Sequence, residues 1–309
     1  MSAQGAPFSA DLRGVVEDVL GRAAASELGR DALWPAVVDL GWDQVGVAEA
    51  DGGVGGDLAD CAELAAGAGR HAAPIPLWET ALAAWVLAEV GLPIGTVARG
   101  ATVVAGGAAA SGPEPALRVD ATADETRVLW RGPGAARSGS GPAALLGAVV
   151  DRMAVLRSAA ILGAVERACE LTVEHVTTRQ QFGRPLAAFQ AVAHGVADLV
   201  MERDRLAGAV HEALDRPSSG TAAAARAIAG RCAGNVAAAA HQLHGAMGIT
   251  QEHRLHRSTA LLWAWRDADR SQRRWEVALG ERVLGGESDD ALWALATGSG
   301  SPASRGRDH

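Results

Sequence analysis

From Asp151 to Leu284 the sequence reads as four long helices separated by short breaks, and this spacing constrains the fold more than any other feature of the chain. Met153, Leu156, Ala160, Gly163 and Val165 recur at helical spacing and open a helix predicted to run to about Thr178. Phe182-Gly183-Arg184-Pro185 ends it, since proline lacks the backbone donor and glycine favours a helix stop. A second helix is predicted from Leu186 to Leu214, with Val192, Val196, Leu199 and Val200 on one face, broken by the stretch from Asp215 to Gly220. The third, Thr221 to about Leu243, is so rich in alanine that neighbouring helices can approach closely. The fourth is predicted from about His253 to Leu284. Long antiparallel helices with short connections form a bundle around a shared apolar interior.

Upstream the pattern differs. Leu12, Val15, Val16, Val19 and Leu20 recur at helical spacing, and short helices are expected from Asp11 to Leu92. They are interrupted where Gly52, Gly53, Gly55 and Gly56 would each cost roughly 1 kcal/mol inside a helix. Between Ala101 and Gly147, glycine, proline and serine surround brief apolar runs such as Ala101 to Ala105 and Val128 to Trp130. That segment is too short for a closed barrel of eight average strands. The chain is therefore divided into a helical domain at 1–100, a shortened β or loop segment at 101–150, a helical bundle at 151–285 and a tail at 286–309 that reads as disordered at its end. The fold class is mainly α.

Composition removes several functions. The 309 residues are 49% apolar with a formal charge of -8, which disfavours polyanionic nucleic acid and membrane surfaces as partners. No apolar run is long enough to span a bilayer and no signal-peptide pattern opens the chain, so a cytoplasmic location is expected. Cys61, Cys169 and Cys232 lie far apart and form no CxxC pair, which indicates neither a disulfide framework nor a zinc site. The sequence contains no lysine, and this excludes Schiff-base chemistry.

Two segments exceed what bundle packing requires. At the end of the first long helix, Arg179, Gln181 and Phe182 precede Gly183, with Gln190 following, a gathering of cation, amide and aromatic groups suited to an anion. At the end of the third, Gln242-Leu-His244-Gly245-Ala246-Met-Gly248 offers glycines that let a backbone approach a ligand and donate to phosphate oxygens. Gly245 and Gly248 are equally readable as a simple helix cap and turn.

Taken together and in this order, the two segments resemble the RxxFGxxxxxxQ and QxHGGxG signatures of the acyl-CoA dehydrogenase family. Leu40-Gly41-Trp42, Val47-Ala48-Glu49, Gly52-Gly53-Val54-Gly55 and His71 to Pro76 are similar to that family's first helical domain. The resemblance implies an N-terminal helical domain and a C-terminal four-helix bundle, with the intervening β domain here truncated. It further implies that Arg179, Gln181, Phe182, Gln242, Gly245, Ala246 and Gly248 contact the diphosphate and adenosine half of an FAD held by a neighbouring subunit. Ala246 replaces the signature's second glycine, and its Cβ would strain any positive-φ conformation there.

The family's reaction removes the α proton of an acyl-CoA thioester with a carboxylate while the β hydrogen leaves as hydride to the flavin. Counting from His244 places that carboxylate at Asp269, one methylene shorter than the usual glutamate and followed by Arg270 and Ser271. The shorter side chain and altered neighbours favour a solvated or salt-bridged helix charge over the base for Asp269. The alternative base position, near Met153, offers no acid. Glu166, Glu170 and Glu174 share one helix stripe, expected to be solvated. Glu252-His253 with Leu255-His256-Arg257 resembles actinobacterial members that work as paired unlike subunits, notably on sterol side-chain CoA esters. Three readings follow: one subunit of a heteromeric acyl-CoA dehydrogenase, a self-sufficient homo-oligomer using Asp269 as base, or a structural member of the fold that binds no nucleotide.

Overall fold

The computed structural model describes residues 11–97, 100–105, 116–132, 136–245, 248 and 254–284. Ala246, Glu252, His253 and the stretch 286–309 lie outside the described residues.

Four helices build the N-terminal part: α1 (Asp11–Ala25), α2 (Arg30–Asp39), α3 (Leu58–Arg70) and α4 (Leu77–Glu89). On α1 the spacing holds for Val16 and Leu20, which are buried, whereas Val15 faces outward at 44% exposure. The glycine stretch before α3 is a loop, and α3 starts at a capping box in which Asp57 accepts from the Asp60 amide and Asp60 accepts in return from the Asp57 amide. Helix α4 is apolar around most of its circumference and correspondingly buried, with Leu77, Trp78, Leu82, Val86 and Leu87 in the core.

The middle segment folds into four strands, β1 (Thr102–Ala105), β2 (Ala116–Ala121), β3 (Glu125–Arg131) and β4 (Arg137–Pro142), in that spatial order. The first pair is parallel and the other two are antiparallel. Leu117, Val119, Val128 and Trp130 point to the core in the period-2 alternation of a sheet covered on one face. Among the described residues this is an open sheet and not a barrel.

The bundle is organised around α5 (Leu145–Thr178), which begins in the apolar run Leu145 to Val150, ahead of the predicted start at Asp151. Helices α6 (Gln190–Asp215) and α7 (Ser219–His244) follow, α7 opening at a Ser218–Thr221 capping box. The predicted fourth helix is two helices, α8 (Leu255–Arg266) and α9 (Gln272–Leu284), separated by a turn in which Asp269 sits at φ 69. Two aspartates within three residues are poor helix formers, and that signal was open to reading in the sequence.

Where α3 crosses α5, backbones meet through glycine: a Cβ on Gly69 would stand 1.9 Å from the Ala160 carbonyl oxygen, and one on Gly163 1.9 Å from that of Ala66. The glutamate stripe on α5 is not simply solvated. Glu166 and Glu170 both pair with Arg70 of α3, which also meets Glu17 of α1 at 3.3 Å, so the stripe ties three helices together. The cysteines are buried, and burial pushes the Cys61 thiol up to about 12 and that of Cys169 up to about 11. No helix among the described residues is long and apolar enough to cross a membrane.

Candidate functional site

The end of α5 turns directly into a tight hairpin. Strands β5 (Gln180–Gln181) and β6 (Arg184–Pro185) pair antiparallel, and the Leu186 amide closes the loop onto the Arg179 carbonyl at 2.9 Å. Phe182 and Gly183 form the tip with φ of 52 and 77. Two positive φ values in succession match the backbone of a type I′ turn, for which Asn-Gly is the usual chemistry and an aromatic is strained. Phe182 is nonetheless 91% exposed and meets Phe189 edge-on at 6.1 Å. The Arg184 guanidinium lies 4.0 Å over the Phe189 ring. Arg179 and Gln181 are also exposed, and among the described residues no side chain accepts a hydrogen bond from Arg179.

A strained and exposed aromatic at a hairpin tip is suited to a contact outside the chain. Replacing Phe182 with glycine is expected to leave the melting temperature within about 2 °C, because relief of the left-handed strain offsets the extra chain entropy of glycine. Its effect should appear as weakened assembly with a partner subunit, read by analytical ultracentrifugation. A large loss of thermal stability with unchanged assembly would show that Phe182 serves the hairpin alone.

Helix α7 ends at the same end of the bundle. The His244 ring stacks on that of His175, in the last turn of α5, with centroids 4.4 Å apart. His244 Nδ1 lies 2.8 Å from the Ala240 carbonyl, which fixes the ring against its own helix. Gly245 caps α7 at φ 60 and ψ -147, a conformation open to glycine, and a Cβ there would meet no atom of the described residues within 4 Å. At Gly248, by contrast, a Cβ would meet the His244 Cβ at 2.7 Å. Gln242 is exposed beside this turn.

The stack thus brings Arg179, one turn beyond His175, and Gly245, next to His244, to one end of the molecule. Two helix C-termini converge there, and their carbonyls are the negative ends of the helix dipoles. A diphosphate at this place therefore requires cations of its own, and Arg179 and Arg184 are placed to supply them. The bare approach to Gly245 fits close contact with such a group.

Asp269 stands elsewhere. It is held by Arg157, which lies about 30 Å along α5 from Arg179 at 1.5 Å per residue. Both of its oxygens accept from that guanidinium, Oδ2 from Nε at 3.1 Å and Oδ1 from Nη2 at 3.2 Å. Glu79 of α4 lies 3.5 Å from Arg157 Nη1, and desolvation pushes its carboxyl up to about 7 against the opposing pull of Arg157. Neither Glu79 nor Arg157 was singled out from the sequence. They sit on apolar helices far apart in the chain, and nothing in their local pattern announces a pair.

The matching family pattern is described as "Acyl-CoA dehydrogenase, C-terminal domain" and covers residues 139–275. Among curated relatives, the acyl-CoA dehydrogenase IpdE2 of Mycolicibacterium smegmatis is 34% identical over 272 residues, spanning 78% of this chain and 86% of the relative. Its namesake in Mycobacterium tuberculosis is 32% identical, spanning 76% and 81%. Among solved structures, a variant described as the Tcur3481-Tcur3483 steroid ACAD superposes with a TM-score of 0.77 at 23% identity, covering 89% of this chain and 97% of that one. The ChsE4-ChsE5 complex from Mycobacterium tuberculosis gives 0.76 at 20% identity, covering 90% and 97%. At those identities the structures speak for the fold.

Proposed function

The chain belongs to the acyl-CoA dehydrogenase family, and from that premise we propose that it is one subunit of a heteromeric acyl-CoA dehydrogenase acting on a steroid-derived CoA thioester. Two unlike chains would share each FAD. In this reading Arg179, Gln181, Phe182, Gln242, Gly245, Ala246 and Gly248 form a cradle for the diphosphate and adenosine half of a cofactor whose flavin end belongs to the partner. When bound, FAD supplies the acceptor for the substrate's β hydrogen. This chain's residues bind and orient the cofactor's charged half; the carboxylate that takes the α proton comes from the partner.

The observation that carries the proposal is the pairing of an exposed arginine whose side chain makes no hydrogen bond to a described residue with the Gly245 turn, joined through the His175–His244 stack. For the chain alone, a guanidinium at this helix C-terminus gains only the modest attraction of the helix dipole, about 0.3–1 kcal/mol. The open four-stranded sheet points the same way, because it leaves little of the surface that a flavin ring would need within one chain. Support for unlike subunits and for a steroid acyl group comes from the fold neighbours, described as a steroid ACAD and as a two-protein complex.

Purified alone, the chain is expected to show little flavin absorbance. Co-expressed with a homologous acyl-CoA dehydrogenase subunit, it should copurify as a yellow complex that reduces an electron acceptor on addition of a steroid-side-chain CoA ester. Stoichiometric flavin and turnover in the chain purified alone would defeat the proposal in favour of a self-sufficient enzyme.

A further inference from the structure

Arg157 is buried to 8% exposure, and its guanidinium is engaged by side chains of the same chain. Its guanidinium lies 4.4 Å over the Trp78 ring of α4 and 5.9 Å from the Trp265 ring of α8. Nε and Nη2 donate to both oxygens of Asp269, and Nη1 faces Glu79 at 3.5 Å. From the other side Arg226 of α7, itself fully buried, donates Nη2 to the carbonyls of Trp265, Arg266 and Ala268 at 2.8, 3.1 and 2.9 Å. The turn between α8 and α9 is therefore held by two arginines, and Asp269 within it keeps a backbone conformation that non-glycine residues rarely adopt.

This turn is where the family resemblance places the proton-removing carboxylate, and Arg157 is one helical turn from Met153, the alternative position. Cavities of about 930 Å³ and 660 Å³ open elsewhere, and neither has Glu79, Arg157 or Asp269 in its wall. We infer that Arg157 is a clasp: it locks the α8–α9 junction onto α4 and α5 and commits Asp269 to an internal ion pair. Asp269 is thereby a positioning residue for the junction and does not take a proton from a thioester. The consequence for turnover rests on the subunit reading above, whereas the clasp itself is tested without cofactor.

Arg157 and Asp269 pair through two hydrogen bonds with both side chains mostly buried, so removing either member strands the charge of the other. Glu79 is the member set to change charge near neutrality. The charged groups facing it are Arg157 from α5 and, beyond that, Asp269 from the α8–α9 turn. Because its carboxyl is held above its unfolded value, Glu79 contributes stability that is complete at low pH and lost as pH rises through about 7.

Thermal unfolding of the full chain tests the clasp. At about pH 6, where Glu79 is mostly neutral, Asp269→Asn and Arg157→Met are each expected to lower the melting temperature by on the order of 5–10 °C. The double variant should lose less than the sum of the two, because neither charge is then left alone. Additive losses, or an unshifted melting temperature in Asp269→Asn, would overturn the clasp. So would loss of turnover in the partner-assembled complex of Asp269→Asn with stability intact, which would make Asp269 the base. A third variant, Glu79→Gln, keeps the fold accessible should the others fail to fold. Relative to it, the wild-type melting temperature should fall from about pH 5 to about pH 8, and Arg157→Met added to Glu79→Gln without further loss of stability would overturn the inference. Absence of flavin from every co-expressed preparation would defeat the subunit reading and leave the clasp result standing.

Discussion

Gly163→Ala is expected to lower the melting temperature by on the order of 5–10 °C, although alanine is the better helix former by about 1 kcal/mol. The sign is decided by geometry. A Cβ at position 163 would stand 1.9 Å from the Ala66 carbonyl oxygen and 2.9 Å from the Arg70 amide nitrogen. Both are backbone atoms of α3, so no side chain can swing aside. Ordinary contact is restored only if the two helices separate by about 1.5 Å, which opens the apolar seam on both sides of the crossing. Overpacking of this kind costs about 1–3 kcal/mol and sometimes more.

Gly69 stands in the reciprocal position, where an added Cβ would lie 1.9 Å from the Ala160 carbonyl oxygen, and Gly69→Ala should behave alike. Gly208, on α6, provides the control, since a Cβ there meets nothing within 4 Å and Gly208→Ala should raise the melting temperature slightly. Calorimetry of the three variants checks the argument. A Gly163→Ala protein as stable as Gly208→Ala would mean that α3 and α5 are not packed backbone to backbone.

That seam shows where sequence reading stops. Gly163 was counted among the helical positions of α5, and the spacing around it located the helix correctly. Nothing in the spacing reveals that α3 crosses at that glycine, because the partner lies about ninety residues away and is chosen by tertiary packing. The same holds for Glu166 and Glu170. Their spacing marks one helix stripe, which is usually solvated, but only the fold brings Arg70 against it.

The split between α8 and α9 has a different origin. Asp267 and Asp269 weaken the helix locally, yet the break is fixed by Arg226, whose three bonds to the carbonyls around it replace those that continuing helix would have made. Candidate-site residues were more legible. Arg179, Phe182, Gln242 and Gly245 stand at helix ends, where proline and glycine punctuate the sequence visibly. Their convergence through His175 and His244 was not legible, since neither histidine carries a pattern that names the other.

The second large effect is expected at Arg179. In the complex with a partner subunit, Arg179→Ala should weaken FAD about 10- to 100-fold, corresponding to the 1.5–3 kcal/mol typical of hydrogen bonds to charged groups. The melting temperature of the chain alone should fall by no more than about 3 °C, because the side chain is exposed, no described residue accepts a hydrogen bond from it, and only the helix dipole is lost. This separation of effects distinguishes a ligand contact from a structural one.

The setting enlarges the effect. In the proposed cradle, with the C-terminal carbonyls of α5 and α7 nearby, loss of the cation would leave a phosphate facing the negative ends of two helices. Arg184 is engaged with the Phe189 ring and compensates in part. Arg179→Lys retains the charge without the planar fork that meets two phosphate oxygens at once, so it should recover some of the affinity but not all. Raising the salt concentration should weaken FAD more in the wild-type complex than in Arg179→Ala, since only the former carries the screened charge pair. Fluorescence titration of FAD into apo complex measures each of these. Equal affinity in wild type and Arg179→Ala at low salt would remove the cradle, and with it the shared-cofactor reading of this chain.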